Sequence, residues 1–355
     1  MALYAKTLTT TFANLATTLS SMTANTSITI SDPANVTLGS PDTSGTIGYI
    51  IKNYTGSYLV DLSPTDMSSI NVGGVTSYNW FQGCTKLSGI GKLPNISTGQ
   101  QRFYDCTNLV YVNTSNYTQM TNGYYMFYGC TSLTSFDLGN FLQLTSSKGM
   151  FMGCTSLASV TNFNSLTSLA TTDNMFSNCT ALTSFSITVS SSKIESAMYM
   201  FSNCTALTSF SMSNVDKLVY SDSMFYGCTS LTSFSFPSNV TTIKSMGSMF
   251  YGCSKLTTFD ISIFTYASGI VMNHAFQNCT SLKTVYAYYN TTVSSTASSW
   301  SGAFSGDTAL KSFNVTTLAA YNAMFNKTYS DYANIGLTSP ITPTLAGQYV
   351  YKRIA

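Results

Sequence analysis

A single cysteine returns at near-constant spacing along this chain, and that period limits the folds open to it. Cys84, Cys106, Cys130, Cys154, Cys179, Cys204, Cys228, Cys253 and Cys279 lie 22, 24, 24, 25, 25, 24, 25 and 26 residues apart. Asp307 takes a tenth slot, 28 residues further on. The stretch "MFYGCTSLTSF", Met126–Phe136, shows the unit in full and recurs from Met224. Self-similarity with a period of 20 to 50 residues marks repeat architectures. One unit cannot bury its apolar residues alone, whereas stacked units share a continuous core.

Within each unit the pattern is Phe-x-[Gly/Asn/Asp]-Cys-[Thr/Ser]-x-Leu-x-x-[Phe/Val/Ile]. The leucine is followed by alternating apolar and polar positions, as in Leu133, Phe136 and Leu138, which predicts a short strand. Ahead of the cysteine an apolar pair such as Met126–Phe127 supplies a second buried side. The expected fold is a β-rich solenoid, a leucine-rich-repeat-like right-handed coil stack of about ten repeats of 22–28 residues, with a small N-terminal cap or attachment region.

These repeats resemble the BspA-like leucine-rich repeat family, in its variant with MFxGCTSLTSF-type units found in bacterial and protist surface proteins. The resemblance runs from about Trp80 to Phe325. It implies adhesion or host-surface binding, with the repeat residues themselves as scaffold.

Four segments follow. Residues 1–24 carry Ala5, Leu8, Phe12, Leu15, Leu19 and Met22 at heptad-like spacing, which predicts an amphipathic helix, either capping or oligomerising. Residues 25–75 read as a small β-rich region, 76–328 as the solenoid and 329–355 as an irregular tail containing Pro340 and Pro343.

Composition narrows the function. Only 8% of residues are charged and 44% are apolar, with a net charge of +2 and no basic run. That excludes nucleic acid as a partner. No stretch reaches the ~18 apolar residues of a membrane span, so no membrane insertion is expected. The first residues show no secretory signal.

The thiols admit four roles. An odd number in one column argues against disulfides. A line of thiols does not make a tetrahedral metal site. A nucleophile needs a base, and the one histidine, His274, stands five residues ahead of Cys279. Packing remains, with the following Thr or Ser hydroxyl bonding to the backbone at the bend. At Asp307 a solvent-open last coil would remove the need for a thiol. Asp137 and Asp260 stand five repeats apart, about 24 Å at strand spacing, too far for a glycosidase pair. No cofactor is expected.

Tyrosines offer rigid contact area with a polar tip. Tyr111, Tyr286, Tyr288 and Tyr289 are the candidate partner-binding residues. Tyr104, Tyr128, Tyr226 and Tyr251 fit stacking between neighbouring coils. The function expected is a non-enzymatic, surface-exposed binding or structural solenoid, such as a phage virion fibre or receptor-binding component. The alternatives are a cell-surface adhesin binding host protein or glycan, and a purely structural fibre or lattice subunit. Its partners would be a protein or glycan on a cell surface, or further copies of itself through residues 1–75. Its place would be a virion or extracellular surface, with a cytoplasmic one also open.

Overall fold

The computed structural model describes residues 4, 6–70, 72, 78–188, 193–237, 242–260, 270–287, 302–307, 309–310, 312–315, 340–345 and 348–351. The chain falls into two compact units, Met1–Leu169 and Ala170–Ala355.

In the first unit five strands form one parallel sheet in chain order: β1 (Lys6–Thr10), β2 (Thr26–Ile30), β3 (Val60–Leu62), β4 (Leu87–Ile90) and β5 (Tyr111–Val112). β6 (Ser135–Asp137) and β7 (Ser159–Thr161) form a separate parallel pair. Helix α1 (Leu15–Ser20) lies between β1 and β2, and α2 (Ile47–Lys52) between β2 and β3. Chain order equals sheet order, as expected when each turn of a coil lays one strand beside the last.

Two sequence expectations are corrected here. The described residues of 1–24 are not one amphipathic helix but a strand, a turn and a six-residue helix. The Thr-rich run Lys6–Thr10 pairs with β2, Leu8 opposite Ile28, because β-branched residues suit a pleated surface. Asp32 ends the strand by accepting the Phe12 N–H at 2.6 Å. The heptad-like spacing arises because Leu15, Leu19 and Met22, all buried, turn toward the same core that β1 borders. Nor is 25–75 a separate β region. Its strands β2 and β3 belong to the sheet that continues into the first repeats, and α2 takes the place of a repeat's Met-Phe segment. Cys84 donates to the Gly48 carbonyl of α2 at 3.4 Å, where later cysteines reach a phenylalanine carbonyl.

In the second unit β8 (Ser184–Ile187) pairs with β9 (Ser209–Met212) in parallel. β10 (Thr258–Asp260), β11 (Thr284–Ala287) and β12 (Ser312–Val315) form a parallel ladder. β14 (Gln348–Tyr351) then adds to β12 antiparallel, and β13 (Pro340–Leu345) to β14. The tail expected to be irregular therefore contains a hairpin. Its prolines stand on the outermost strand, where a missing N–H breaks no further ladder.

Between strands the chain turns through the Met-Phe segment, which has its own bonding scheme. Gly99, Gln101, Phe103 and Asp105 donate their N–H groups to Asn122, Tyr124, Met126 and Tyr128 of the next coil at 2.7–2.9 Å. Arg102, Tyr104 and Cys106, between them, donate three residues back at 3.0–3.2 Å. The same alternation runs from Ala197 to Cys204 in the second unit. The buried amides of this segment are thus served without a regular helix or strand.

From Gln101 on, two left-handed residues, four apart, bracket the pair in each coil, as at Gln101 and Asp105, Tyr125 and Gly129, Asn174 and Asn178, Ser223 and Gly227. The second of these positions is the Gly/Asn/Asp column of the repeat, filled by the residue types that tolerate a positive φ. His274, at φ 56°, stands in the first.

The core of each unit is stacked rings. Phe103 and Phe127 lie 5.3 Å apart at 6°, and Phe127 and Phe151 5.4 Å apart at 5°. In the second unit Phe201 and Phe225 lie 5.6 Å apart at 5°. Each such pair contributes roughly 0.5–1.5 kcal/mol beyond burial of its area. Outside this core Tyr104 stacks on Tyr128 at 4.4 Å and Tyr226 on Tyr251 at 4.7 Å.

Candidate partner-binding site

The thiols are scaffold. All nine are buried, and none is in a disulfide. Cys106, Cys130 and Cys154 donate to the carbonyls of Phe81, Phe103 and Phe127 in the preceding coil at 2.9–3.2 Å. Cys204, Cys228, Cys253 and Cys279 do the same toward Phe176, Phe201, Phe225 and Phe250 at 3.0–3.1 Å. Burial pushes the Cys84 and Cys204 thiols up to about 12. A thiol held so far from its thiolate form is a poor nucleophile and metal ligand. Among the described residues no three His, Cys, Asp or Glu side chains gather as metal ligands.

The next residue uses its hydroxyl at the bend: Thr131 donates to the Thr107 carbonyl at 3.1 Å. Asp307 is fully buried rather than solvent-open, and its Oδ1 accepts the Cys279 N–H at 2.8 Å. A carboxylate has no hydrogen to give, so the tenth slot reaches a donor where the thiols reach an acceptor.

One column residue is foreign to its place. Arg102 stands where later coils carry Met126 and Met150 and is completely buried. Its guanidinium lies 4.4 Å from the Trp80 ring centre and 5.6 Å from that of Tyr117. Nη2 donates to the Thr98 carbonyl at 2.7 Å, while Nε and Nη1 have no partner among the described residues. The flanking rings offset part of the desolvation cost, and burial still lowers its pKa.

What the scaffold presents is the outward side of the strands. Ser135, Asp137, Ser159 and Thr161 are exposed in the first unit, and Ser184, Ser186, Ser209 and Ser211 in the second. This surface is small, polar and nearly uncharged. In the first unit it is interrupted. Tyr111, on β5, is 49% exposed, next to the equally unusual exposed Val110. β5 pairs with β4 but not with β6, so the ladder stops there. A cleft of about 440 Å³ occupies the break, with Tyr111, Ser135, Asp137 and Asn140 around buried Val112, Leu133 and Phe136.

The polar groups of the cleft are held in place. Asp137 Oδ1 accepts from the Asn162 amide at 2.7 Å and from the Gly139 N–H at 2.9 Å. The Asn162 bond, then the Gly139 bond, keeps its carboxyl below the usual carboxylate range. Asn140 Nδ2 donates to Thr114 Oγ1 at 3.3 Å. An aromatic face, a fixed anion and an amide around a partly apolar floor can bind a ligand.

The repeat seen in the sequence and in the stacked coils has a match among protein families. The family described as "BspA type Leucine rich repeat region (6 copies)" matches residues 75–208, 147–283 and 197–330. The chain belongs to the BspA-type leucine-rich repeat family. Proteins of this family are usually surface or extracellular binding proteins. No curated protein sequence matches this BspA-type chain. Among solved structures it is similar to TLR13, titled "Crystal structure of TLR13-ssRNA13 complex". Identity there is 14% and the TM-score 0.27, over 89% of this chain and 54% of that one. It is also similar to InlJ from Listeria monocytogenes, titled "Functional domain of InlJ from Listeria monocytogenes includes a cysteine ladder". Here identity is 13% and the TM-score 0.20, over 78% and 80% of the two chains. The BspA-type chain spans about half the length of the TLR13 chain. Among the described residues no helix is long and apolar enough to cross a membrane.

Of the four tyrosines that the sequence singles out, Tyr111 lines the cleft. Tyr286 lies in the second unit, on β11 between Asp260 and Asn314. Tyr288 and Tyr289 fall outside the described residues. The sequence reading missed Asp137 and Asn140 as companions of Tyr111, because only the break in the ladder brings them round one opening. It also passed over Tyr49, Tyr54 and Tyr58, although three tyrosines within ten residues are a visible signal.

Proposed function

We propose that this BspA-type chain is a non-enzymatic binding scaffold displayed on a surface, and that it engages a protein or glycan partner through the cleft at Tyr111. The observation that carries the reading is the exposed tyrosine at a break in an otherwise small, polar strand face. Tyrosine gives rigid, amphipathic contact area at low entropic cost, and the low charge suits a partner recognised by shape and hydrogen bonding. The buried thiols and stacked rings serve to hold that surface still.

A cell-surface adhesin is the first form of this reading, in line with the usual setting of the family. The virion fibre comes second. An oligomerising face in residues 1–24 is one of its supports, and Leu15, Leu19 and Met22 are buried inside their own unit.

The test is binding of the full chain to arrays of glycans and of host surface proteins, with Tyr111→Ala and Asp137→Ala beside the parent. The expected result is a specific ligand whose affinity falls about tenfold or more in both variants. No ligand on either array, or affinity unchanged in both variants, overturns the proposal. Light scattering separates the two forms: a monomer at high concentration removes the fibre.

A further inference from the structure

A second opening lies away from the strand face, where α1 and α2 pack beside the loop that leads to β3. It holds about 390 Å³ and is lined by Leu19 and Met22 together with Tyr49, Asn53, Tyr54 and Tyr58. That volume falls at the small end of ligand sites, about 300–1,000 Å³. We propose that this cleft is a binding site for a neutral saccharide, distinct from the Tyr111 site and independent of it.

The cleft is built rather than incidental. Leu19 and Met22 are buried and make an apolar floor. Tyr49 is set by the start of α2, where its N–H donates to Thr46 Oγ1 at 3.1 Å. Asn53 Nδ2 donates to the Tyr49 carbonyl at 2.9 Å, which orients the amide and leaves Oδ1 as an acceptor. Tyr54 folds back over Gly56, and a Cβ at that position would run into its phenol ring. The glycine is therefore what lets the ring lie where it does.

The chemistry of the lining selects the ligand. No carboxylate, ammonium, guanidinium or imidazole lines the cleft among the described residues, so nothing there balances a charged ligand. Three phenols offer flat apolar faces with hydroxyl tips, beside an amide and the hydroxyls of Ser20 and Ser57. A pyranose has the matching surfaces: a flat C–H face to lie on a ring and a rim of hydroxyls that both donate and accept. A polyproline helix also docks on aromatic grooves, and its free carbonyls accept from hydroxyls, but its prolines have no N–H to give to Asn53 Oδ1, whereas a sugar hydroxyl both donates and accepts.

Saturation-transfer NMR on the full chain tests the site. The probes are methyl glycosides of glucose, galactose, mannose and N-acetylglucosamine, with a proline-rich peptide as competitor class. Saturable transfer to the ring protons of at least one glycoside is expected. It should fall about tenfold or more in Tyr54→Ala and Tyr58→Ala and persist in Tyr111→Ala. Gly56→Ala, which displaces Tyr54 without removing any lining side chain, should weaken it too while circular dichroism stays that of the parent. The proposal is overturned if no glycoside shows saturable transfer. It is equally overturned if transfer survives all three cleft variants, or if only the peptide binds there. Loss of transfer in Tyr111→Ala alone would assign the sugar to the other site and overturn this one.

Discussion

The Cys154 thiol donates to the Phe127 carbonyl, 3.0 Å away in the preceding coil. The same carbonyl accepts the Cys130 N–H from its own coil, so that bond ties two coils to one acceptor. A carbonyl oxygen has two lone pairs, and the thiol is the side chain small enough to reach the second from inside a packed column.

The first expectation concerns access. Native protein treated with a thiol reagent should label slowly at every position, and all nine cysteines should react after unfolding. Cys154→Ala should cost about 1 kcal/mol, the worth of one weak bond and a small void. Cys154→Asp, which buries a carboxylate with the Cys130 N–H as its one donor, as Asp307 has that of Cys279, should cost several kcal/mol by denaturant titration. Rapid native labelling of the middle positions would show that the column is open.

A second expectation is loss of stability in alkali. Burial raises the pKa of Cys84, Cys106, Cys130, Cys154, Cys204, Cys228, Cys253 and Cys279. Above about pH 8.5 the unfolded chain loses these protons while the folded chain keeps them. The unfolded state then binds fewer protons, and stability falls as pH rises toward the folded values, about 12 for Cys84 and Cys204. Each thiol contributes about 1.4 kcal/mol per pH unit in that window. Melting curves should be level from pH 6 to 8 and drop steeply above 9. Replacing two of these cysteines by alanine should make the drop shallower.

Two glycines of one column should respond differently to alanine. Gly153 has φ 78°, and the nearest heavy atom to where a methyl would stand is 3.6 Å away, an ordinary contact. Only the left-handed backbone penalises the change there, by roughly 1 kcal/mol. At Gly227, φ 70°, the methyl would also run into Asn203 Oδ1 of the preceding coil. Gly227→Ala should therefore lower the midpoint of denaturation more than Gly153→Ala. In the other left-handed column Ser223→Gly should raise it. Equal effects at the two glycines would mean that the asparagine moves aside freely.

Arg102→Met should stabilise the first unit. It restores the residue that later coils carry and removes a buried cation with two nitrogens that lack partners among the described residues, at the loss of one hydrogen bond and two ring contacts. The expected gain is about 1–3 kcal/mol, read as a higher melting temperature. A lower one would show that the Trp80 and Tyr117 rings more than offset the desolvation of the charge.

The period of the cysteines, the inward leucines and the stacking rows were legible in the sequence because each rests on local spacing. What failed was the place where two periods coincide. Leu8, Phe12, Leu15, Leu19 and Met22 share helical spacing, yet a strand, a turn and a helix divide them, because parallel pairing with Thr26–Ile30 captures the first part. The hairpin at Pro340–Tyr351 was hidden by its prolines, which a strand accepts only on an edge that sequence does not reveal. The site was legible only in part. Tyr111 stands out by breaking a column, but the cleft beside it depends on a missing strand pairing, and no residue type announces that.

The alternation of amides in the Met-Phe segment has a consequence for how such a gene can change. Because each middle coil gives its amide hydrogens to the next as it receives them from the one before, these backbone partners are not unique to a particular coil. Excising the 24 residues from Cys204 to Gly227 would join Asn203 to Cys228 and leave every junction chemically familiar. A replication slip of one unit thus shortens or lengthens the array without inventing a new contact, and copy number becomes a trait that heredity can adjust in whole steps.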